Sequence, residues 1–277
     1  MGVFTGQLGA VNGMTNVRNW TIEEVSDPKS LASSATRRGM MRKAGIKSWT
    51  GSISLYGGKP PSMPGDISSF VGYRNSTTDV RNTTGIRSSG SIIIDSVQIS
   101  WNWNTAEIIS QVLNFSGDGA LVHASGLGVI DATVGVAETP LGTNVMIDSA
   151  ILPDVLTAQL TINVANQAFV SSSTSGWTGR KRGAPFDFQL AITQYNESGL
   201  APVNIGSDCI VNLYTNASQF WILKWCQLQS ITGVTVDIES AAIIQQTLNF
   251  NMQGISASTL GQIRLPGEVS DWWPATP

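Results

Sequence analysis

At 277 residues the chain is long enough for two domains of ordinary size, each with a core of its own. Hydrophobic residues make up 42% and charged residues 13%, roughly half the usual ~25%, and nine Trp that need burial exclude a disordered chain. The formal net charge is −3, and two cysteines, Cys209 and Cys226, are too few for a disulfide framework; they could pair, but reduced thiols are expected.

Taken from the start, Met1–Gln7 lacks the charged opening and apolar run of a signal peptide. No apolar stretch approaches the ~20 residues of a membrane span. Val17–Ile22 reads as a first strand. A polar, basic stretch from Ser30 to Lys47 follows and carries Arg37, Arg38, Arg42 and Lys43. In Trp49–Tyr56 the apolar residues fall on alternate positions, the strand period, and Gly57-Gly58-Lys59-Pro60-Pro61 ends the run. Ile67–Tyr73 reads as a short helix, and residues 75–91 as a long loop or hairpin tip. Ile92–Trp103 and Glu107–Phe115 read as strands, with Val97, Ile99, Trp101 and Trp103 in clean alternation. Ile108, Ile109, Val112 and Leu113 also fit a helical stripe; strand is preferred because the other elements are β and the segment runs into Ser-Gly-Asp-Gly.

Residues 118–154 hold several Gly and Ser and read as a linker with some extended structure. Beyond it come a strand at Leu160–Val164, the cluster Arg180-Lys181-Arg182, a strand at Phe186–Tyr195 and the alternating Val234–Glu239. The prolines of Leu265–Pro274 rule out a strand interior there. Trp272 and Trp273, costly to leave in water, dock on a neighbouring subunit or on the chain's own surface.

The same order of features occurs twice. Ala106–Phe115 and Ala241–Phe250 agree at seven of ten positions at an offset of 135. The repeat is too long for a solenoid, so two tandem domains of one fold are expected. The boundaries are a first domain with an N-terminal arm over 1–130, a linker over 131–154, a second domain over 155–257 and a C-terminal arm over 258–277. Charge is unevenly shared: residues 1–90 hold eleven Lys/Arg and five Asp/Glu, a net of +6, and residues 91–277 hold five and fourteen, a net of −9. Such asymmetry steers one surface onto another, or merely reflects two differently solvated faces.

Catalytic chemistry finds little support. His123 is the one histidine, which excludes His-based metal sites and most triads. The cysteines lack a Cys-x-x-Cys spacing, and no phosphate-binding loop is present. No catalytic residue, metal ligand or cofactor is expected. The basic clusters precede corresponding strands, so they read as corresponding loops, either solvated or bridging acidic patches on adjacent subunits, with nucleic-acid binding a weaker reading.

The run Gly45-Ile46-Lys47-Ser48-Trp49-Thr50-Gly51-Ser52-Ile53-Ser54, preceded by the Val17–Ile22 strand and a basic Ser/Thr/Ala stretch, resembles the second strand of bacteriophage tail tube (major tail) proteins. Val112-Leu113-Asn114-Phe115-Ser116-Gly117-Asp118-Gly119 resembles their last strand. The resemblance covers most of the first unit. The second keeps the order but has Phe188-Gln189-Leu190-Ala191 in place of the Trp-x-Gly-Ser word. It implies a mainly β chain of two tandem tail-tube-like β-sandwich or barrel domains, each with a short flanking helix. It further implies homotrimeric rings of pseudo-sixfold symmetry that stack into a tube within a virion, assembled in the host cytoplasm. Viral DNA would pass through without specific binding, and the partners would be hub, tape measure and terminator proteins, with no membrane. Candidate inter-subunit contacts are then Arg37, Arg38, Arg42, Lys43, Arg180, Lys181, Arg182, Trp272 and Trp273. Candidate channel-lining residues are Asn102, Asn104, Asp237 and Glu239.

Other readings are a trimeric baseplate hub or distal tail protein that forms one ring without stacking, a capsid decoration protein, and a carbohydrate-binding pair of β-sandwiches. The last would use Trp101, Trp103, Trp272 and Trp273 as sugar platforms.

Overall fold

The computed structural model describes residues 2–6, 8–11, 17–31, 40–43, 45–74, 85–127, 138–183, 186–195, 202–233, 245–253 and 262–272. The chain is mainly β. Its strands are β1 (Gly2–Gly6), β2 (Leu8–Val11), β3 (Val17–Ser26), β4 (Lys29–Leu31), β5 (Met41–Lys43), β6 (Lys47–Tyr56), β7 (Ile67–Tyr73), β8 (Ile86–Asn102), β9 (Ser110–Gly117) and β10 (Val122–Ser125). The second half contributes β11 (Val145–Ile147), β12 (Ala150–Leu152), β13 (Val155–Val164), β14 (Gln167–Phe169), β15 (Gly179–Lys181), β16 (Phe186–Tyr195), β17 (Asp208–Tyr214), β18 (Phe220–Thr232), β19 (Gln245–Met252) and β20 (Gln262–Arg264).

One antiparallel order occurs in each half. In the first, β3 pairs with β6, β6 with β9, β9 with β8 and β8 with β7. In the second, β13 pairs with β16, β16 with β19, β19 with β18 and β18 with β17. The smaller elements follow suit. The hairpin β4–β5 corresponds to β14–β15, β2 on β7 to β11 on β17, and β10 on β8 to β20 on β18. The halves meet edge to edge: Ser96–Asn102 of β8 pairs with Thr157–Asn163 of β13, so a single sheet of 16 strands runs through both.

Alternation explains the core. Along β8 and β13 the side chains of Val97, Ile99, Trp101, Ala158, Leu160 and Ile162 are buried, while the intervening Ser, Thr, Asn and Gln are not. In the first half Trp20, Trp49, Phe70 and Phe115 form one aromatic cluster, with ring centroids 5.2 to 6.4 Å apart. Two glycines make room for it. A Cβ on Gly51 would stand 2.6 Å from the Phe115 ring, and one on Gly117 would stand 2.1 Å from that of Trp49. In the second half Leu190 is paired opposite Phe250 as Gly51 is opposite Phe115, so the core there is filled by an aliphatic side chain.

Two expectations are corrected. Ile67–Tyr73 is strand β7, paired with β8 on one side and β2 on the other, and not a helix. Its buried residues fall at Ser68, Phe70 and Gly72, every second position, and Ile67 is exposed. No flanking helix occurs among the described residues; the single helical turn is Ser172–Thr174. Within the stretch expected to link the units, Val145–Leu152 forms the hairpin β11–β12 on the edge of β17.

Candidate assembly surface

The large sheet presents a polar face. Cross-strand register fixes which residues share it. Asn19, Ser54, Val112, Gln98, Thr161, Gln189 and Asn251 form one row from β3 to β19. A second row runs Asn102, Thr157, Thr193, Thr247 and Thr232, with the hydroxyls of Thr193 and Thr247 3.0 Å apart. Side-chain amides tie strands together on the same face. Asn114 donates to Ser96 Oγ at 2.9 Å, and Asn249 donates to Ser230 Oγ at 3.2 Å.

The two rows are built from uncharged hydroxyls and amides, with Val112 as the one apolar member. Along the strands of these two rows, the charged side chains that the alternation places on the face are acidic, Glu23 on β3 and Asp187 on β16. Desolvation by burial raises the Asp187 carboxyl above its ordinary value, against the lowering effect of hydrogen bonds from Phe188 N–H and Gln189. Arg18 stands at the rim, beside the Tyr56 ring at 5.9 Å.

Of the expected channel residues, Asn102 lies on this face, half-buried, and accepts the Thr105 N–H at 3.1 Å. Asn104 is exposed in the turn beyond β8. Asp237 and Glu239 lie outside the described residues.

The basic residues sit on the paired hairpins. Arg42 and Lys43 are exposed on β5; Arg180 and Lys181 hold the corresponding places on β15, with Arg182 directly after. The β14–β15 hairpin reaches back over the seam between the halves. There Lys47 N–H donates to Gly176 O and Thr178 N–H to Lys47 O, both at 2.8 Å, and Gly119 N–H donates to Thr178 O at 3.1 Å. Arg180 N–H donates to Asp118 Oδ1 at 2.8 Å, and the Lys47 ammonium lies 5.1 Å from the Trp177 ring centroid. The cation of Lys181 faces outward over its neighbour Phe169. Arg37, Arg38 and Trp273 lie outside the described residues.

Trp272 packs on the chain's own second half. Its ring meets Phe186 edge-on at 5.5 Å, and its backbone N–H donates to Ile263 O. Asp271 beside it receives Lys224 and Arg264, which hold its carboxyl below the ordinary value despite the opposing effect of burial. Trp101 is 1% exposed and Trp103 is half-buried with its N–H directed at Thr143, so Trp101 offers no sugar platform.

Chemically reactive groups are weakly poised. A groove of about 260 Å3 is lined by Asp148, Asp208, Cys209, Ile210, Lys224 and Trp225. Burial, then the charges of Asp148 and Asp208, push the Cys209 thiol up to about 12, and burial raises Cys226 well above its usual range. The two thiols are cross-strand neighbours and free. Among the described residues no three His, Cys, Asp or Glu side chains converge as metal ligands. His123 lies on β10, not in a linker, with Ser88 Oγ 2.9 Å from Nδ1 and Glu24 3.4 Å from Nε2.

No protein-family model matches the chain, and no match is found among curated proteins. No helix among the described residues is long and apolar enough to cross a membrane.

Proposed function

We propose that this chain is a structural subunit of a phage-type tail tube. In this reading its two halves are duplicated tail-tube-like domains, its copies close into rings, and the rings stack around a channel through which DNA passes. The observation that carries the reading is the polar face. A surface mostly of Ser, Thr, Asn and Gln, with Val112 in one row, two carboxylates on its strands and no cation in either row, offers phosphate little to bind and mildly repels it. Such a face suits a passage that must not hold what moves along it.

The repeated strand order and the edge-to-edge seam of β8 and β13 support the duplication and a ring built by the same kind of seam. Three chains of two domains would complete a six-domain ring. Negative-stain electron microscopy of concentrated protein at low salt tests this. Stacked hollow rings are expected. Single trimeric rings that never stack would move the reading to a hub or distal tail component, and monomers at every concentration, alone or with a tail initiator complex, would defeat it.

A further inference from the structure

The seam inside the chain has a counterpart edge at each end, on β3 and on β18. β13 stands in the second half where β3 stands in the first, and both break register after their first residue, at Val17/Asn19 and Val155/Thr157. β18 stands where β8 stands, with matching breaks at Ile94/Ser96 and Leu228/Ser230 and matching amide bonds from Asn114 to Ser96 and from Asn249 to Ser230. Ser96, Val97 and Gln98 therefore correspond to Ser230, Ile231 and Thr232. The first three pair with Asn163, Ile162 and Thr161 of β13. Among the described residues, no strand pairs with the same edge of Ser230–Thr232.

The hairpins show the same incompleteness. β14–β15 is anchored across the seam by the Arg180 N–H bond to Asp118. On β4–β5, Arg42 holds the place of Arg180, and the described residues Met40–Lys43 are exposed, Met40 at 72% and Met41 at 56%. Gln253 follows β19 where Asp118 follows β9. Its Oε1 is buried without a hydrogen-bond partner, at the position where Asp118 receives a backbone N–H. One copy thus holds the donor strand exposed and the acceptor orphaned, at opposite ends.

β3 differs from β13 in one respect: its outer edge is occupied by β1, with Gly2–Gly6 set against Trp20–Glu24. β1 pairs with β3 along five residues, and Phe4 packs against the edge of the hydrophobic core. The strand has glycine at both ends, and none of its residues belongs to the buried core. Phe4 rests against His123 and the Arg74 guanidinium, whose Nε and Nη2 are buried without partners.

We propose that the free edge of β18 and Gln253 in one copy receive β3 and the β4–β5 hairpin of a second copy, in the register of the internal seam, and that β1 covers β3 only until that copy docks. The register places Ser230 opposite Val25, Ile231 opposite Glu24 and Thr232 opposite Glu23, with Arg42 N–H directed at Gln253 Oε1. The edge left by β1 includes Glu23 and Glu24, so β1 and the second copy exclude one another. The contact is head-to-tail, so it repeats from copy to copy until a ring closes. The inference rests on the proposed function only in taking a second copy as the partner.

The test uses the full chain. A Glu23→Cys, Thr232→Cys variant is expected to form intermolecular disulfides on mild oxidation, read as a ladder on a non-reducing gel. A Val3→Cys, Glu23→Cys variant pins β1 to β3; its oxidised form is expected to stay monomeric by light scattering and to associate once reduced. Hydrogen exchange on the unmodified protein provides a check free of folding defects: on association, amides of Gly2–Gly6 gain exchange and those of Ser230–Gly233 lose it. Association with β1 still protected, or without the Glu23–Thr232 cross-link, overturns the inference and leaves the tube reading standing. The cross-link in oligomers that never form tubes keeps the inference and removes the tube. Failure to associate at any concentration, alone or with a tail initiator complex, overturns both.

Discussion

Trp221 donates its indole N–H to the carbonyl oxygen of Gly58 at 2.8 Å, joining positions 163 residues apart. The bond lies in the interior, because both residues are buried, and it crosses from the second half of the chain to the first. Glu138 accepts the N–H of the same Gly58 at 2.8 Å and the Asn216 amide at 3.2 Å, so the stretch between the halves is fastened to both.

The halves are therefore expected to unfold together. Trp221→Phe keeps most of the ring but leaves the Gly58 carbonyl unpaired, which costs about 1–3 kcal/mol. Trp221→Ala adds a cavity and costs about 3–5 kcal/mol. Urea titration of the free chain, followed by fluorescence and by far-ultraviolet circular dichroism, should give one coincident transition that moves to lower urea in both variants. Two separated transitions, with only the second displaced, would show that the seam does not couple the halves.

The proposed indifference of the polar face to DNA is tested by adding charge. Gln98→Lys together with Gln189→Lys places two cations in the row that also holds Thr161. Fluorescence anisotropy with a short duplex should show binding at low salt that weakens steeply as salt rises; each phosphate neutralised adds roughly one unit to the slope of log affinity on log salt. The unmodified chain should show none. Equal binding by both proteins would remove the argument that the face is built to release DNA.

Asp187 carries a pH signature. Its carboxyl is raised by desolvation, so between the unfolded value of 3.8 and the raised folded value the folded state holds the extra proton. Stability from this group is then lost as pH rises through that window. Asp187→Asn should raise the melting temperature at neutral pH, and the gain should shrink towards zero as pH falls below 3.8. A gain that grows on acidification would contradict the assignment.

The cysteines should be inert in the folded chain. With Cys209 at about 12 and Cys226 raised and buried, little thiolate exists at pH 8. Mass spectrometry after iodoacetamide treatment should find neither labelled in native protein and both labelled in urea. Rapid native labelling of Cys209 would mean that the groove beside Trp225 opens in solution.

The alternating strands were legible because the sheet buries one face only: Val97, Ile99 and Trp101 point inward while Gln98 and Ser100 stay on the polar side. The two-fold order was legible from the Leu-Asn-Phe words, whose residues Leu113 and Phe115, and Leu248 and Phe250, fill corresponding core positions. β7 was misread because Ile67, Phe70 and Val71 have helical spacing; pairing with β8 on one side and β2 on the other overrides that local pattern. The second half lacks the Trp-x-Gly-Ser word: Leu190, opposite Phe250, stands where Gly51 leaves space for Phe115. Neither the β1 edge nor the orphaned Gln253 oxygen could be read from sequence, since both depend on which strands become neighbours in space.

Joining the halves by a seam within the chain also imposes a parity rule. Any closed ring made of whole chains contains an even number of halves, so five- and seven-membered rings of halves are unreachable. In such a ring half of the seams would be the internal one, formed at the high effective concentration of a tether, roughly millimolar for a short flexible one, and complete before two copies meet. In the proposed ring the remaining seams would depend on how many copies are present, which would make growth, and not folding, the step at which supply is sensed.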